Sequence, residues 1–195
     1  MNFKIYEIIS FLVPGYLVLF LFKSNLGLEV KDMNSFAVIA LAFAVGFIIQ
    51  IIASWSEDIL NLSWGGKPST QLLDGKDMWK VRFYSSQKVR SLLVEEARRM
   101  GTNDPTSDHL FQIAYTSVTS KGYQRVEDFN ANYAFARSML IGLLVVLVKY
   151  ATMSPFVWKY VLAILFGFLI TWYRTKQRGF YFAREVLKMY LINVN

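Results

Sequence analysis

Along the chain, apolar residues gather into four long blocks, and polar ones into a single extended stretch between the second and third. The blocks are Ile5 to Phe22, Phe36 to Trp55, Ser138 to Met153 and Phe156 to Tyr173. A hydrocarbon core of about 30 Å takes roughly 20 helical residues to cross, so each block reads as a membrane-spanning helix. The second is the cleanest, with only Gln50 and Ser54 polar between Ala37 and Trp55. A single amide in such a span is more often helix-to-helix glue than the lining of a pore. The fourth carries Trp158, Tyr160, Trp172 and Tyr173 near its ends, where interfacial aromatics sit.

The third block is short for a span, because its apolar run from Met139 ends at Val148, before Lys149. The residues ahead of it supply the missing length. Between Tyr123 and Gly142 there is no proline or glycine, so the pattern predicts one continuous helix from Tyr123 to Tyr150 that begins in water and ends in lipid. On that helix Phe129, Tyr133 and Ala136 share a side, with Arg125 a turn before Phe129 and Arg137 a turn after Tyr133. Arg137 falls at the inner interface, either as a snorkelling anchor or as half of a fixed ion pair that couples the polar stretch to the spans. Glu7, Glu57 and Asp58 are its candidate partners. Together with Arg125, Glu127, Phe129 and Tyr133 they form the candidate coupling set.

Lys4 ahead of the first block suggests a signal peptide, but no small-x-small cleavage site follows in KSNLGLEV, so the helix is expected to be retained. Its Pro14-Gly15 pair should kink or split it, since proline removes a backbone donor and glycine relaxes the chain. Neighbouring helices must then cover the freed backbone. Glu7 lies within a turn or two of the amino end. That favours an interfacial position over a proton path.

The polar stretch opens with the turn-rich SWGGKPSTQLLDGKD, a connection. The segment Gly65-Gly66-Lys67-Pro68-Ser69-Thr70 lacks the phosphate-loop spacing and places a proline where the cradle needs a donor, so it is read as a turn. A helix from Ser85 to Met100 follows, with Val89, Leu92, Leu93 and Ala97 at helical spacing and Gly101 just past its end. A second runs from Asp108 to about Thr119, capped by Thr106 or Ser107. The carboxylate pairs Glu57-Asp58, Glu95-Glu96 and Glu127-Asp128 are adjacent residues, which point in different directions on a helix and make no acid/base pair.

Composition agrees with the apolar blocks: 54% of residues are hydrophobic and 16% aromatic, and the mean hydropathy is +0.33. With no cysteine and one histidine, His109, thiol chemistry and ordinary zinc sites are not expected. The net charge of +7 is unevenly spread. Four spans put Lys4, the eleven cations of the polar stretch and the five of the tail on one side, leaving Lys23, Lys31, Lys149 and Lys159 on the other. By the positive-inside rule both termini and the polar stretch are cytoplasmic. The stretch balances its cations with ten acids, which makes it a poor nucleic-acid surface. The tail sets Arg174, Lys176, Arg178, Arg184 and Lys188 against Glu185 alone. Those five cations either fix orientation only or also hold anionic lipid headgroups.

The Pro-Gly pair of the first span, the W-G-G-x-P turn from Trp64 to Pro68 and the entry to the third span carry a resemblance. That entry sets Arg125, Glu127, Asp128, Phe129, Tyr133, Phe135 and Arg137 in an R-x-E-x-F-x-x-x-Y-x-F-x-R-like array. The chain resembles the small four-span membrane proteins of bacterial antiphage systems, those of the Kiwa type most of all. The resemblance is one of layout across the chain and carries over no site residue. It implies a homo-oligomer, a tetramer, in the bacterial inner membrane that detects a phage-induced disturbance and passes it to a cytosolic effector protein.

The expectation is therefore an all-α, polytopic membrane protein with four transmembrane helices and a small helical cytoplasmic domain inserted between helices two and three. The chain divides into two spans (1–55), the cytoplasmic domain (56–122), the long entering helix plus the fourth span (123–173) and a basic tail (174–195). It is expected to be a non-enzymatic sensor or signalling subunit without a cofactor, embedded in the bilayer. A cytosolic protein is its expected partner, and no direct nucleic-acid contact is expected. The alternative is an oligomeric pore or membrane-disrupting effector triggered through the cytoplasmic loop.

Overall fold

The computed structural model describes residues 5–22, 34–78, 80–152 and 157–194, and side chains from residue 8 onward. Lys4, Lys23, Lys31 and the carboxylate of Glu7 lie outside the described residues. Within them the regular elements are helices: α1 (Ile5–Phe22), α2 (Ser35–Trp55), α3 (Glu57–Ser63), α4 (Pro68–Leu73), α5 (Ser86–Arg99), α6 (Ser107–Thr119), α7 (Gln124–Thr152) and α8 (Trp158–Val194). Strand pairing among the described residues is limited to an isolated antiparallel bridge between Met78 and Val81.

Two of these helices, α2 and α7, are long and apolar enough to cross a membrane. In α1 the comparable stretch is the shorter Ile8–Phe22, and in α8 the apolar run is bounded by Lys159 and Arg174. The polar front of α7 joins its apolar half without interruption, as the lack of a breaker requires. The turn-rich segment read as a connection, Ser63 to Asp77, contains the short helix α4, and the short helix α3 precedes it. Pro68 starts α4 at its first position, where a missing N–H costs nothing. Thr106 caps α6, its hydroxyl accepting from the His109 N–H at 3.3 Å.

The fourth block and the basic tail differ from expectation. They form one helix of 37 residues with no boundary at position 173. Continuity follows from a second apolar stripe: Phe180, Ala183, Val186, Leu187 and Tyr190 recur at helical spacing and are buried. The cations that suggested a tail lie on the remaining faces of this helix.

The chain forms two compact units, one from Met1–Glu57 with Ala131–Thr175, the other from Asp58–Asn130 with Lys176–Asn195. In the first, the backbones of α1 and α2 meet through glycine. A Cβ on Gly15 would fall 1.8 Å from the Ala42 carbonyl oxygen, and one on Gly46 would fall 1.8 Å from that of Phe11. Such approach is open only to glycine and is a usual way for helices to associate in lipid. Helix α1 runs unsplit through Pro14, although the Ser10 carbonyl receives no helical N–H from that position. Helix α7 covers the site, since a Cβ on Gly142 would lie 3.8 Å from the Pro14 Cβ. Helix α8 is tied to α7 by the Thr175 hydroxyl, which donates to the Ala136 carbonyl at 3.2 Å.

The second unit has a conventional aliphatic core. Leu72 and Leu73 of α4, Val89, Leu93 and Ala97 of α5, and Leu110, Ala114 and Val118 of α6 pack with Val126 of α7 and the buried stripe of α8. Ion pairs brace its surface loops. Lys67 and Thr70 bind Asp108 at the start of α6, and Arg90 of α5 pairs with Asp74.

Candidate functional site

Of the two candidate carboxylates whose side chains are described, Glu57 is the one that meets Arg137. The guanidinium Nη1 of Arg137 donates to Glu57 Oε2, and the hydroxyl of Tyr133 donates to Glu57 Oε1 at 3.2 Å. One carboxylate therefore takes both partners, one on each oxygen. Arg137 also lies over the Tyr133 ring, 4.5 Å from its centroid, a cation–π contact made possible by their i, i+4 spacing on α7. The arginine side chain is 13% exposed and the glutamate 37%, so the pair is only half screened by solvent. The Nε of Arg137 is buried without a hydrogen-bond partner among the described residues. Asp58 is exposed, and the side chain of Glu7 lies outside the described residues.

The contacts are those of an ion pair, with the guanidinium bound to a carboxylate at one end and an aromatic ring beneath it. The chemistry is one of charge and orientation. These groups hold helix α7 against the start of α3 and assemble no nucleophile.

A second charged contact lies in the other unit. Glu185 of α8 is 1% exposed, and the Nε of Arg125, 56% exposed, lies 2.6 Å from its Oε1. That oxygen nevertheless has no contact of hydrogen-bond geometry, so the attraction is one of proximity. Arg125 also approaches the Phe129 ring at 6.0 Å, and Phe129 meets Tyr181 at 6.3 Å. Arg125 and Phe129 belong to the coupling set expected from the sequence, whereas Glu185 stands there only as an acid of the tail. The signal that could have found it is a lone carboxylate inside the apolar stripe FYFAREVL. Glu127 is exposed.

The five tail cations do not form one free headgroup surface. The Lys176 ammonium donates to the Trp64 carbonyl at 3.1 Å, and Gln71 donates to the same oxygen at 3.2 Å. Lys176 is thus an internal tie that holds the W-G-G-x-P turn, where Gly65 and Gly66 take positive φ values of 80° and 122°. Arg184 lies over the Tyr181 ring at 5.0 Å, while Arg174 and Lys188 are exposed and Arg178 is half-buried.

Three titrating groups outside the membrane-grade segments are displaced. Lys67, donating to Asp108, holds that carboxyl below its ordinary value, opposed by partial burial and helped by Thr70. Burial, then the charge of Glu96, pushes the Tyr190 hydroxyl up. The hydrogen bond that Arg82 donates to the Tyr84 hydroxyl raises the guanidinium further above its ordinary value. No protein-family model, curated protein or solved structure matches the chain.

Proposed function

We propose that the chain is a non-enzymatic signalling subunit of a membrane, in which α1, α2, the apolar half of α7 and the first half of α8 are four spans. Asp58–Asn130 and the end of α8 are then the cytoplasmic unit, with both termini on that side. The carrying observation is that α7 and α8 each belong to both compact units without a break in the helix. A displacement at the membrane end of either helix then reaches the cytoplasmic end, since an unbroken helix has no soft joint. The fixed Glu57–Arg137 pair supports this, because it sets the rotation of α7 at the plane where coupling is needed. The excess of Lys and Arg on one side supports the orientation.

On the resemblance stated above, the subunit acts as a homo-oligomer, a tetramer, in a bacterial inner membrane. There it passes a phage-induced disturbance to a cytosolic protein. The second reading, an oligomeric pore, draws on Gln50, whose Oε1 is buried and lacks a hydrogen-bond partner among the described residues. Dye release from liposomes carrying the purified protein separates the two. Release stays at background for a signalling subunit, and a steep rise with protein concentration overturns that reading in favour of the pore.

A further inference from the structure

In helix α3 the outward side is the apolar one. At about 3.6 residues per turn, Glu57, Leu60 and Asn61 gather on one side and Asp58, Ile59, Leu62 and Ser63 on the other. The first side is turned into the protein, with Leu60 and Asn61 buried and Glu57 joined to Arg137. The second is open. Ile59 is 71% exposed and Leu62 82%, the two most exposed large aliphatic side chains among the described residues of the second unit. They occupy the middle of the open side, and Asp58 and Ser63, both exposed, stand at its edges. A helix facing water carries polar residues at that midline.

We infer that this side of α3 docks on the inner-leaflet surface of the bilayer. Ile59 and Leu62 reach the boundary between headgroups and acyl chains, while Asp58 and Ser63 stay among headgroups and water. The placement follows from where the helix begins. The apolar run of α2 ends at Trp55, and that of α7 begins at Met139, two residues after Arg137. The Glu57–Arg137 pair therefore stands at the level where both runs meet the headgroups. Helix α3 starts at Glu57 and rises about 1.5 Å per residue, so Leu62 lies within roughly 8 Å of that level whichever way the helix points. The headgroup layer is itself roughly 5–7 Å deep on each face. A lipid surface is thus within reach of both side chains. A second copy of the chain is the poorer occupant, since two aliphatic side chains fall well short of the roughly 1,000 Å² that a specific protein interface buries. An apolar midline with polar edges is the pattern of a helix lying in an interface, and it selects no headgroup charge. Because Glu57 is both the first residue of α3 and the partner of Arg137, a leaflet that pulls on α3 pulls on a side chain of α7. The inference rests on the four-span part of the functional reading and adds the leaflet surface that the subunit touches.

The test is site-directed fluorescence of the full chain in phosphatidylcholine vesicles. The chain has no cysteine, so Ile59→Cys, Leu62→Cys and Ile48→Cys each take one environment-sensitive label. At Ile59 and Leu62 the emission should be blue-shifted, and iodide should quench it severalfold less than it quenches the same label on glutathione. Lipid spin-labelled near the headgroup should quench both positions more than lipid spin-labelled near the chain end, because an interfacial helix sits only about 5–10 Å into the headgroup and acyl boundary. Iodide access as free as on glutathione overturns the proposal. So does protection from iodide without quenching by either lipid, which would mean that a protein covers the face, a second copy if the protection falls as the chain is diluted in lipid. With the label at Ile59→Cys, Leu62→Asn should raise iodide access severalfold, and unchanged protection overturns the role given to Leu62. Added salt should change none of this, and release by salt overturns docking through apolar side chains. Ile48, exposed on α2, checks the reading beneath, since its label should be quenched most by the lipid labelled near the chain end. If neither lipid quenches it, α2 is not a span and the four-span reading fails. If Ile48 is quenched and Leu62 is not, the docking alone fails.

Discussion

Glu57 and Arg137 stand eighty positions apart in the chain and form an ion pair in which the carboxylate also accepts from Tyr133. The pair is neither solvent-exposed nor sealed, so its loss should fall between the roughly 0–1 kcal/mol of surface pairs and the roughly 3–5 kcal/mol of buried ones. Glu57→Gln and Arg137→Gln are each expected to cost about 2 kcal/mol. The double variant should cost clearly less than the sum of the two, because each single change strands a charge. Unfolding of the detergent-solubilised protein measures the cycle. Additive costs would show that the two side chains do not depend on each other.

Gly15 and Gly46 should be irreplaceable. An added methyl at either position would meet backbone atoms that cannot rotate away, so Gly15→Ala or Gly46→Ala is expected to separate α1 from α2 at a cost of about 3 kcal/mol or more. Gly167 on α8 has nothing within 4 Å of its would-be Cβ, and Gly167→Ala should be neutral or stabilising by up to about 1 kcal/mol. Melting temperatures of the three variants decide the matter, and similar values for all three would refute the close crossing.

Arg125→Gln should destabilise the second unit more than its own exposure suggests. It leaves Glu185 buried without its counter-charge, which costs about 3 kcal/mol. Glu185→Leu removes the charge and the need for a partner together, and is expected to be near neutral. Urea titrations followed by circular dichroism distinguish the two, and equal destabilisation by both would show that Glu185 has a further partner.

Asp108 gives the second unit a defined response to acid. Its folded-state pKa is depressed below the ordinary 3.8. The stabilisation is therefore present above that value and is lost as pH falls through the depressed one. Because the hydrogen bond from Lys67 is the largest cause, Lys67→Met should remove most of this acid sensitivity and cost about 1 kcal/mol or less near neutrality. Urea midpoints from about pH 5 down to about pH 2 report it, and an unchanged slope in Lys67→Met would contradict the assignment.

The long helix α7 was legible in sequence because a missing breaker is a local fact, and the apolar run after Met139 needed the length. Helix α8 was not legible as one element. Arg174, Lys176 and Arg178 look like a positive-inside tail, and the stripe beginning at Phe180 gains its meaning only from the core it enters with α5 and α6. The choice of Glu57 over Asp58 depends on rotation. Ser56 closes α2 with φ −80° and ψ −1°, and that local turn sets the direction of the carboxylate that follows. Gly46 carried a readable signal in the small-residue spacing Ala42, Gly46 and Ala53, the kind that marks close helix approach. The tie between Lys176 and the Trp64 carbonyl spans 112 positions, and no pattern in either segment announces it.

The proposed signalling role requires α7 to move as one rigid rod from Gln124 to Thr152. Its direct test is the distance between spin labels at Gln124→Cys and Leu144→Cys in a chain that has no other thiol. Both positions are exposed. Twenty residues of unbroken helix span about 30 Å. A single narrow distribution near that distance is expected, the same in detergent, in bilayers and in bilayers under osmotic stress. A broad or two-peaked distribution, or a shift in its mean under stress, would show a joint within α7 and contradict transmission through it.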